Sequence, residues 1–329
     1  MQSNWKEIHA ASVVIDGHMD TLSLIHSQSA YGQGTKRSLA QGAKDGHVDL
    51  GRLASGGVTA AILATYVQPP FVAHLAKEHV LQMIGYAHNQ VSIQGDRLML
   101  IKKASDVTKA KKSGKIGIIL GMEGGEAIGK SFETLRSFYE LGVRNIGLTW
   151  NHRNQIGAGP WEPGGLSLFG KELIKEMNRL GILVDISHLN IDGFWDVMKE
   201  SSKPPIASHS NARALTDHPR NLHDDQIKAL AEKGGLMGMN FCAAFLNRNE
   251  ANTALRDVLD HIDHIAGLVG TDCIALGSDF DGITAKPKEL GSVKDMPLVT
   301  KGLVQRGYGE SDITKILGGN YLRVFKSVW

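Results

Sequence analysis

Short apolar runs rich in β-branched residues alternate with longer segments of helical period along most of the chain. The runs are SVVIDG near residue 12, VTAAILATYV near 58, KIGIIL near 115, VRNIGLT near 143, ILVDIS near 182, PIASH near 205, GLMGMNF near 235 and CIALGSD near 273. Continuous apolar stretches of this length are what strands covered on both faces require. Between them the spacing predicts amphipathic helices over 74–94, 131–141, 167–180, 191–200, 223–233 and 251–269, with a last one over 311–326. Strand and helix in alternation give a parallel sheet covered by helices. Eight such units match a (β/α)8 TIM barrel, read as one domain over residues 1–329. A doubly wound open sheet is the alternative, because eight strand–helix units do not by themselves close a ring. Residues 26–52, rich in Gly, Ser, Gln and Lys, show no clear helix, and 283–310 are a second irregular stretch. Both are expected as long irregular loops at the C-terminal face of the barrel, since long connections in a compact domain are usually functional or disordered.

Composition narrows the function classes. With 42% hydrophobic and 21% charged residues and a formal net charge of +2, the chain reads as an ordinary soluble enzyme-sized protein. It offers no electrostatic reason to expect a nucleic-acid or acidic-membrane partner. The basic cluster KKASDVTKAKKSGK at 102–115 reads as a solvated helix end. The first residues lack the positive start and apolar run of a secretory signal, and no stretch approaches the roughly 18–20 apolar residues of a membrane span. A cytoplasmic protein without a membrane anchor is the expectation. Cys242 and Cys273 are too few for a disulfide framework and lack the short spacing of a structural zinc site, so both read as buried small hydrophobes.

A barrel places catalytic groups at the C-terminal ends of its strands. His18 and Asp20 close the first run, in VVIDGHMD, and residues two apart in a strand share a face. Glu123 follows the third run, His188 the fifth, His209 ends the sixth and Asp279 the eighth. Imidazole and carboxylate suit a catalytic metal of the zinc type. Five ligands exceed one tetrahedral zinc but suit two metals sharing a carboxylate, which acidify a bridging water into a nucleophile. Asp279 is then left for proton transfer. Asp16 reads as a partner that orients a ligand, and Glu126 and Asp281 rank behind Glu123 and Asp279 because they lie further from their strand ends. Ten further histidines, at 9, 26, 47, 74, 79, 88, 218, 223, 261 and 264, read as surface or packing residues.

In order along the chain, IDGHMD, HVDLGRLASGGVTA, GMEGG, GLTWNHRN, VDISH, ASHSNAR with the following HPRN, and GSDFDG resemble the membrane (renal) dipeptidase family of the metal-dependent amidohydrolase superfamily, from about residue 12 to 325. The resemblance implies a metallopeptidase that hydrolyses dipeptides, including those with a C-terminal D-residue, through a hydroxide bridging two Zn2+ ions. His18 and Asp20 would hold the first zinc, Glu123 would bridge, and His188 and His209 would hold the second. Asp279 would be the catalytic aspartate, and Arg220 would bind the substrate carboxylate. The position that faces substrate in mammalian members is Trp150 by gapless counting, with His152 two residues on as the alternative. The resemblance is compatible with a homodimer. Hydrolysis of an N-acyl amino acid, lactone or cyclic amide on the same metals is the rival activity, and a barrel that binds without catalysis is the rival class.

Overall fold

The computed structural model describes residues 4–30, 37–42, 44, 46–69 and 74–329. Nine parallel strands form its centre: β1 (Ile15–Met19), β2 (Ala60–Tyr66), β3 (Leu98–Leu100), β4 (Ile116–Glu123), β5 (Val143–Gly147), β6 (Leu183–Asp185), β7 (Ile206–Ala207), β8 (Leu236–Met239) and β9 (Ile274–Leu276). β1 pairs with both β2 and β9, and β2 pairs with β4, so eight of the strands close a ring in the order β1-β2-β4-β5-β6-β7-β8-β9. The fold is the (β/α)8 barrel, and the open-sheet alternative is excluded by the β1–β9 and β2–β4 pairings.

The ninth strand, β3, is a short addition that the apolar pattern did not predict. It pairs with Ile116–Ile118 at the start of β4, before β5 joins at Leu120. It therefore uses the edge that β5 takes over further up. Three residues, LML after a polar DR, are too short a run to stand out from a helix end.

The long helices follow the expected spacing: Ala76–Ile93, Phe132–Glu140, Leu168–Leu180, Ile191–Glu200, Asp224–Glu232 and Leu255–Val269. Their starts are sharp because side chains satisfy free helix N–H groups. Ser131 accepts from Thr134, Ser167 from Gly170 and Asn190 from Gly193. The expected helix over 311–326 is two α-segments, Glu310–Thr314 and Asn320–Val328, joined by a π-turn over Lys315–Gly319. Its last part seals the bottom of the barrel. Tyr321, Val324 and Phe325 pack with Ile15, Ile62 and Ile119, and the Tyr321 hydroxyl donates to the Leu276 carbonyl at 3.2 Å.

The supposedly irregular segments hold more helix than their composition implied. Thr21–Ala30 and Leu50–Ser55 bound the first, and Pro297–Gln305 lies within the second. Among the described side chains of Thr21–Ala30 the buried apolar ones are Leu22 and Ile25, while Ser23 accepts from Tyr66 N and donates to the Ala64 carbonyl. A helix whose polar side is itself bonded to the barrel has little amphipathic signature to read. The basic cluster at 102–115 is mostly a full helix, Ala104–Ser113, with Val107 and Ala110 buried. No described helix is long and apolar enough to cross a membrane.

Close backbone approach under the site is glycine-dependent. A Cβ at Gly277, or at Gly238 on the neighbouring strand, would land on the Ser208 carbonyl oxygen. Gly277→Ala should therefore lower the unfolding free energy by about 2–3 kcal/mol in urea denaturation, the usual cost of overpacking a rigid core. An unchanged midpoint would show that the strand ends can part without loss.

Candidate active site

All six metal-site and catalytic residues expected at strand ends lie together at the C-terminal mouth of the barrel. His18 is the fourth residue of β1 and Asp20 follows the strand; Glu123 is the last residue of β4. His188, His209 and Asp279 come two or three residues after β6, β7 and β9. His188 and Asp279 take left-handed backbone, at φ 68° and 63°, and Asp281 does so at 69°; they are the only non-glycine residues with positive φ among those described. Such conformations are costly for side-chain-bearing residues and gather where a group must be aimed.

Glu123 is the centre of the cluster. Its Oε1 lies 3.0 Å from His188 Nε2 and 3.6 Å from His209 Nε2, while its Oε2 lies 3.6 Å from His18 Nε2. His18 Nε2 is 3.4 Å from Asp20 Oδ2. The carboxylate thus divides its two oxygens between a His18–Asp20 half and a His188–His209 half.

The donors are prepared as ligands. His188 Nδ1 meets Asn151 Oδ1 at 2.8 Å, and an amide oxygen can only accept, so the ring proton sits on Nδ1 and Nε2 keeps its lone pair. His209 Nδ1 is held by Ser208 Oγ at 2.8 Å. His18 Nε2 and Asp20 Oδ1 are buried without any hydrogen-bond partner, an arrangement that proteins avoid unless an ion or water completes it. The ligand atoms of His18, Glu123 and His209 all lie within 4.8 Å of one another, as do those of His18, Asp20 and Asp279. Two carboxylates and three imidazoles with no thiolate fit a catalytic divalent metal.

Electrostatics follow from this crowding. Burial, reinforced by the Arg220 charge, lowers His188 to about 3, and burial with the neighbouring His18 lowers His209 well below its ordinary value. Burial also opposes a charge on His18, but Glu123 and Asp20 outweigh it and hold this imidazole well above its usual range. Burial raises Asp20, and the Glu123 charge adds to it. For Asp279 burial again dominates and raises the carboxyl, with Glu123 adding to it and His18 opposing.

The residues beneath the ligands tie the strand ends together. Asp16 Oδ1 accepts the main-chain N–H of His18 and of Ser278, joining β1 to the loop after β9. Asp185 does the same for Ser187 and Ser208. Asp281 is engaged away from the cluster: it accepts from Thr21 Oγ1, Arg37 Nη2 and His47 N at 2.6–2.8 Å, three of a carboxylate's roughly four acceptor sites. Glu126 accepts from Asn154 Nδ2 at 3.1 Å.

Above the cluster opens a cavity of about 490 Å³, whose walls include Tyr66, Trp150, Arg220, Phe245 and Asp279. Trp150 stands on it, tilted against Tyr66 with 4.8 Å between ring centroids, whereas His152 is exposed and does not line it. Arg220 is 4% exposed, and no carboxylate lies within 4 Å of its guanidinium among the described residues. Its Nη2 donates to the His209 carbonyl at 3.3 Å and its Nε has no partner.

The model of the membrane dipeptidase family, peptidase family M19, matches residues 2–329. The chain belongs to this family. Dipeptidase tcpJ of Claviceps purpurea is 33% identical over 327 residues, covering 95% of this chain and 76% of that one. A metallo peptidase from Rhodobacter sphaeroides, solved with a phosphinate mimic of the dipeptide L-Ala-D-Ala, superposes with a TM-score of 0.90 at 31% identity, covering 97% of this chain and 100% of that one. The dipeptidase AC, also a metallo peptidase, gives 0.90 at 32% identity over 97% and 99%. As a member of the membrane dipeptidase family the chain is a metal-dependent hydrolase acting on peptide bonds.

Several residues of the site had no signal in the sequence. Asn151 and Asn240 hold His188 and Asp279, the latter by Asn240 Nδ2 donating to Asp279 Oδ2 at 2.9 Å. Three of the histidines read as ordinary, His26, His79 and His218, line the cavity. Cys242 does too, half-buried, which corrects its reading as a core residue; Cys273 is buried as expected. These side chains come from loops and helices remote in sequence, and only closure of the barrel brings them to one mouth.

Proposed function

We propose that this membrane dipeptidase family member is a binuclear zinc enzyme that hydrolyses dipeptides, including those with a D-residue at the C-terminal position. His18 and Asp20 would hold one ion, His188 and His209 the other, with Glu123 shared between them. The observation that carries this is the division of the Glu123 oxygens between the two halves of the cluster. Metal ions held there supply Lewis-acid polarisation of the scissile carbonyl and acidify a water to a nucleophile.

The chain's own residues do the rest. Asn240 occupies Oδ2 of Asp279, while Oδ1 makes no hydrogen bond among the described residues. Burial has raised this carboxyl, which makes it a better base than an exposed aspartate. It takes the proton of the nucleophile and returns it to the departing amine. Arg220, buried and short of an anionic partner, binds the C-terminal carboxylate of the substrate through its planar fork. Trp150 supplies a flat apolar wall, and the role goes to it rather than to His152 because only Trp150 lines the cavity. A volume of about 490 Å³ is ample for two residues with sizeable side chains. Tolerance of a D-residue draws support from the L-Ala-D-Ala mimic bound by the Rhodobacter relative.

The test is a panel of L-L and L-D dipeptides, N-acyl amino acids, lactones and cyclic amides, assayed beside elemental analysis of the purified enzyme. The expected result is turnover of both dipeptide series with about two zinc ions per chain. Cleavage restricted to L-L substrates would remove the D-residue claim, and one ion per active chain would remove the binuclear one.

A further inference from the structure

His218 lines the cavity beside Arg220 and is used by neither the metal cluster nor the proton-transfer step. Its Nδ1 accepts the main-chain N–H of Arg220 at 3.2 Å. A ring nitrogen that accepts carries no proton, so the neutral ring has its hydrogen on Nε2. Burial, aided by the Arg220 charge, lowers His218 below its usual value and keeps the ring in that neutral form. The ring is also held in place. It packs on Phe245 with centroids 4.5 Å apart, and Trp161 meets it edge-on at 6.3 Å and 90°. The Arg220 guanidinium lies 5.6 Å from the centre of the same Phe245 ring.

Two donors therefore share one wall. His218 Nε2 makes no hydrogen bond among the described residues, and Arg220 Nε is likewise without a partner. A carboxylate offers two oxygens and about four acceptor sites, more than one guanidinium edge uses. We propose that His218 Nε2–H and the Arg220 guanidinium together bind the C-terminal carboxylate of the dipeptide, and that this paired-donor wall is what rejects substrates lacking a free carboxylate. The inference rests on the reading of Arg220 as the carboxylate anchor. A C-terminal carboxamide would turn its own N–H groups toward at least one of the two donors, leaving both sides unpaired.

Kinetics of the zinc-loaded enzyme on one dipeptide and on its C-terminal amide test this. His218→Phe keeps an aromatic ring against Phe245 and removes the donor; His218→Gln restores an N–H. The native enzyme should favour the free acid. His218→Phe should raise KM for the acid about 10- to 100-fold with kcat little changed, the range for a hydrogen bond to a charged group. KM for the amide should stay where it was, and His218→Gln should recover most of the loss. An unchanged KM in His218→Phe, or a rise equal for acid and amide, overturns the proposal. A native enzyme that does not distinguish acid from amide overturns the Arg220 reading itself, a separate result visible before any variant is made.

Discussion

Glu123→Gln should empty both halves of the metal site at once and lower kcat/KM by at least ~10³-fold, several kcal/mol of transition-state stabilisation at about 1.4 kcal/mol per decade. Glutamine keeps the length of the side chain but removes the charge and turns an NH2 toward one set of ligands. In the native protein one oxygen stands 3.0 Å from His188 Nε2 and 3.6 Å from His209 Nε2, the other 3.6 Å from His18 Nε2. Whichever way the amide sits, one half loses an acceptor and both lose negative charge. His18→Ala touches one half directly and should reduce the first ion more than the second. Elemental analysis after dialysis separates the two variants: a Glu123→Gln enzyme that kept one ion at full occupancy would mean that the carboxylate is not shared.

Asp279→Asn should abolish turnover while leaving about two zinc ions bound, with kcat down by roughly 10²–10⁴-fold, the usual contribution of a positioned acid–base group. The substitution is nearly isosteric, and Asn240 Nδ2 can still donate to the amide oxygen of residue 279, so geometry is preserved and basicity alone is lost. The surrounding space is tight: a Cβ at Gly282 would meet the carboxylates of both Asp20 and Asp279. The measurement is kcat beside metal content on the same preparation. An active Asp279→Asn enzyme would sink the proton-transfer role, whereas loss of metal with activity would show that this carboxylate acts chiefly as a ligand.

The candidate ligands were legible because they follow strands, and in a parallel barrel all strand ends point to one mouth. His18, Glu123, His188, His209 and Asp279 each close an apolar run, and that local fact carries three-dimensional meaning once the alternation of elements is recognised. Asp281, two residues further along, ranks behind Asp279 on this criterion only by its distance from the strand end. The structure separates them through partners from elsewhere in the chain, since Thr21, Arg37 and His47 hold the Asp281 carboxylate. Between Trp150, given by gapless counting, and His152, its alternative, the path of the loop decides, turning the first into the cavity wall and the second to solvent.

What the sequence determined by itself was therefore whatever local periodicity and order can carry: the alternation of buried strand and amphipathic helix, and the set of candidate metal-binding side chains at strand ends. Closure of the ring, the division of the Glu123 oxygens, the tautomers set by Asn151 and by the Arg220 main chain, and the cavity lining from His26, His79 and His218 were decided only in three dimensions. The reason is physical. Periodicity reports which face of an element is buried, but a hydrogen-bond partner or a cavity wall depends on distances between segments as far apart as residues 16 and 278, which packing of the whole barrel sets.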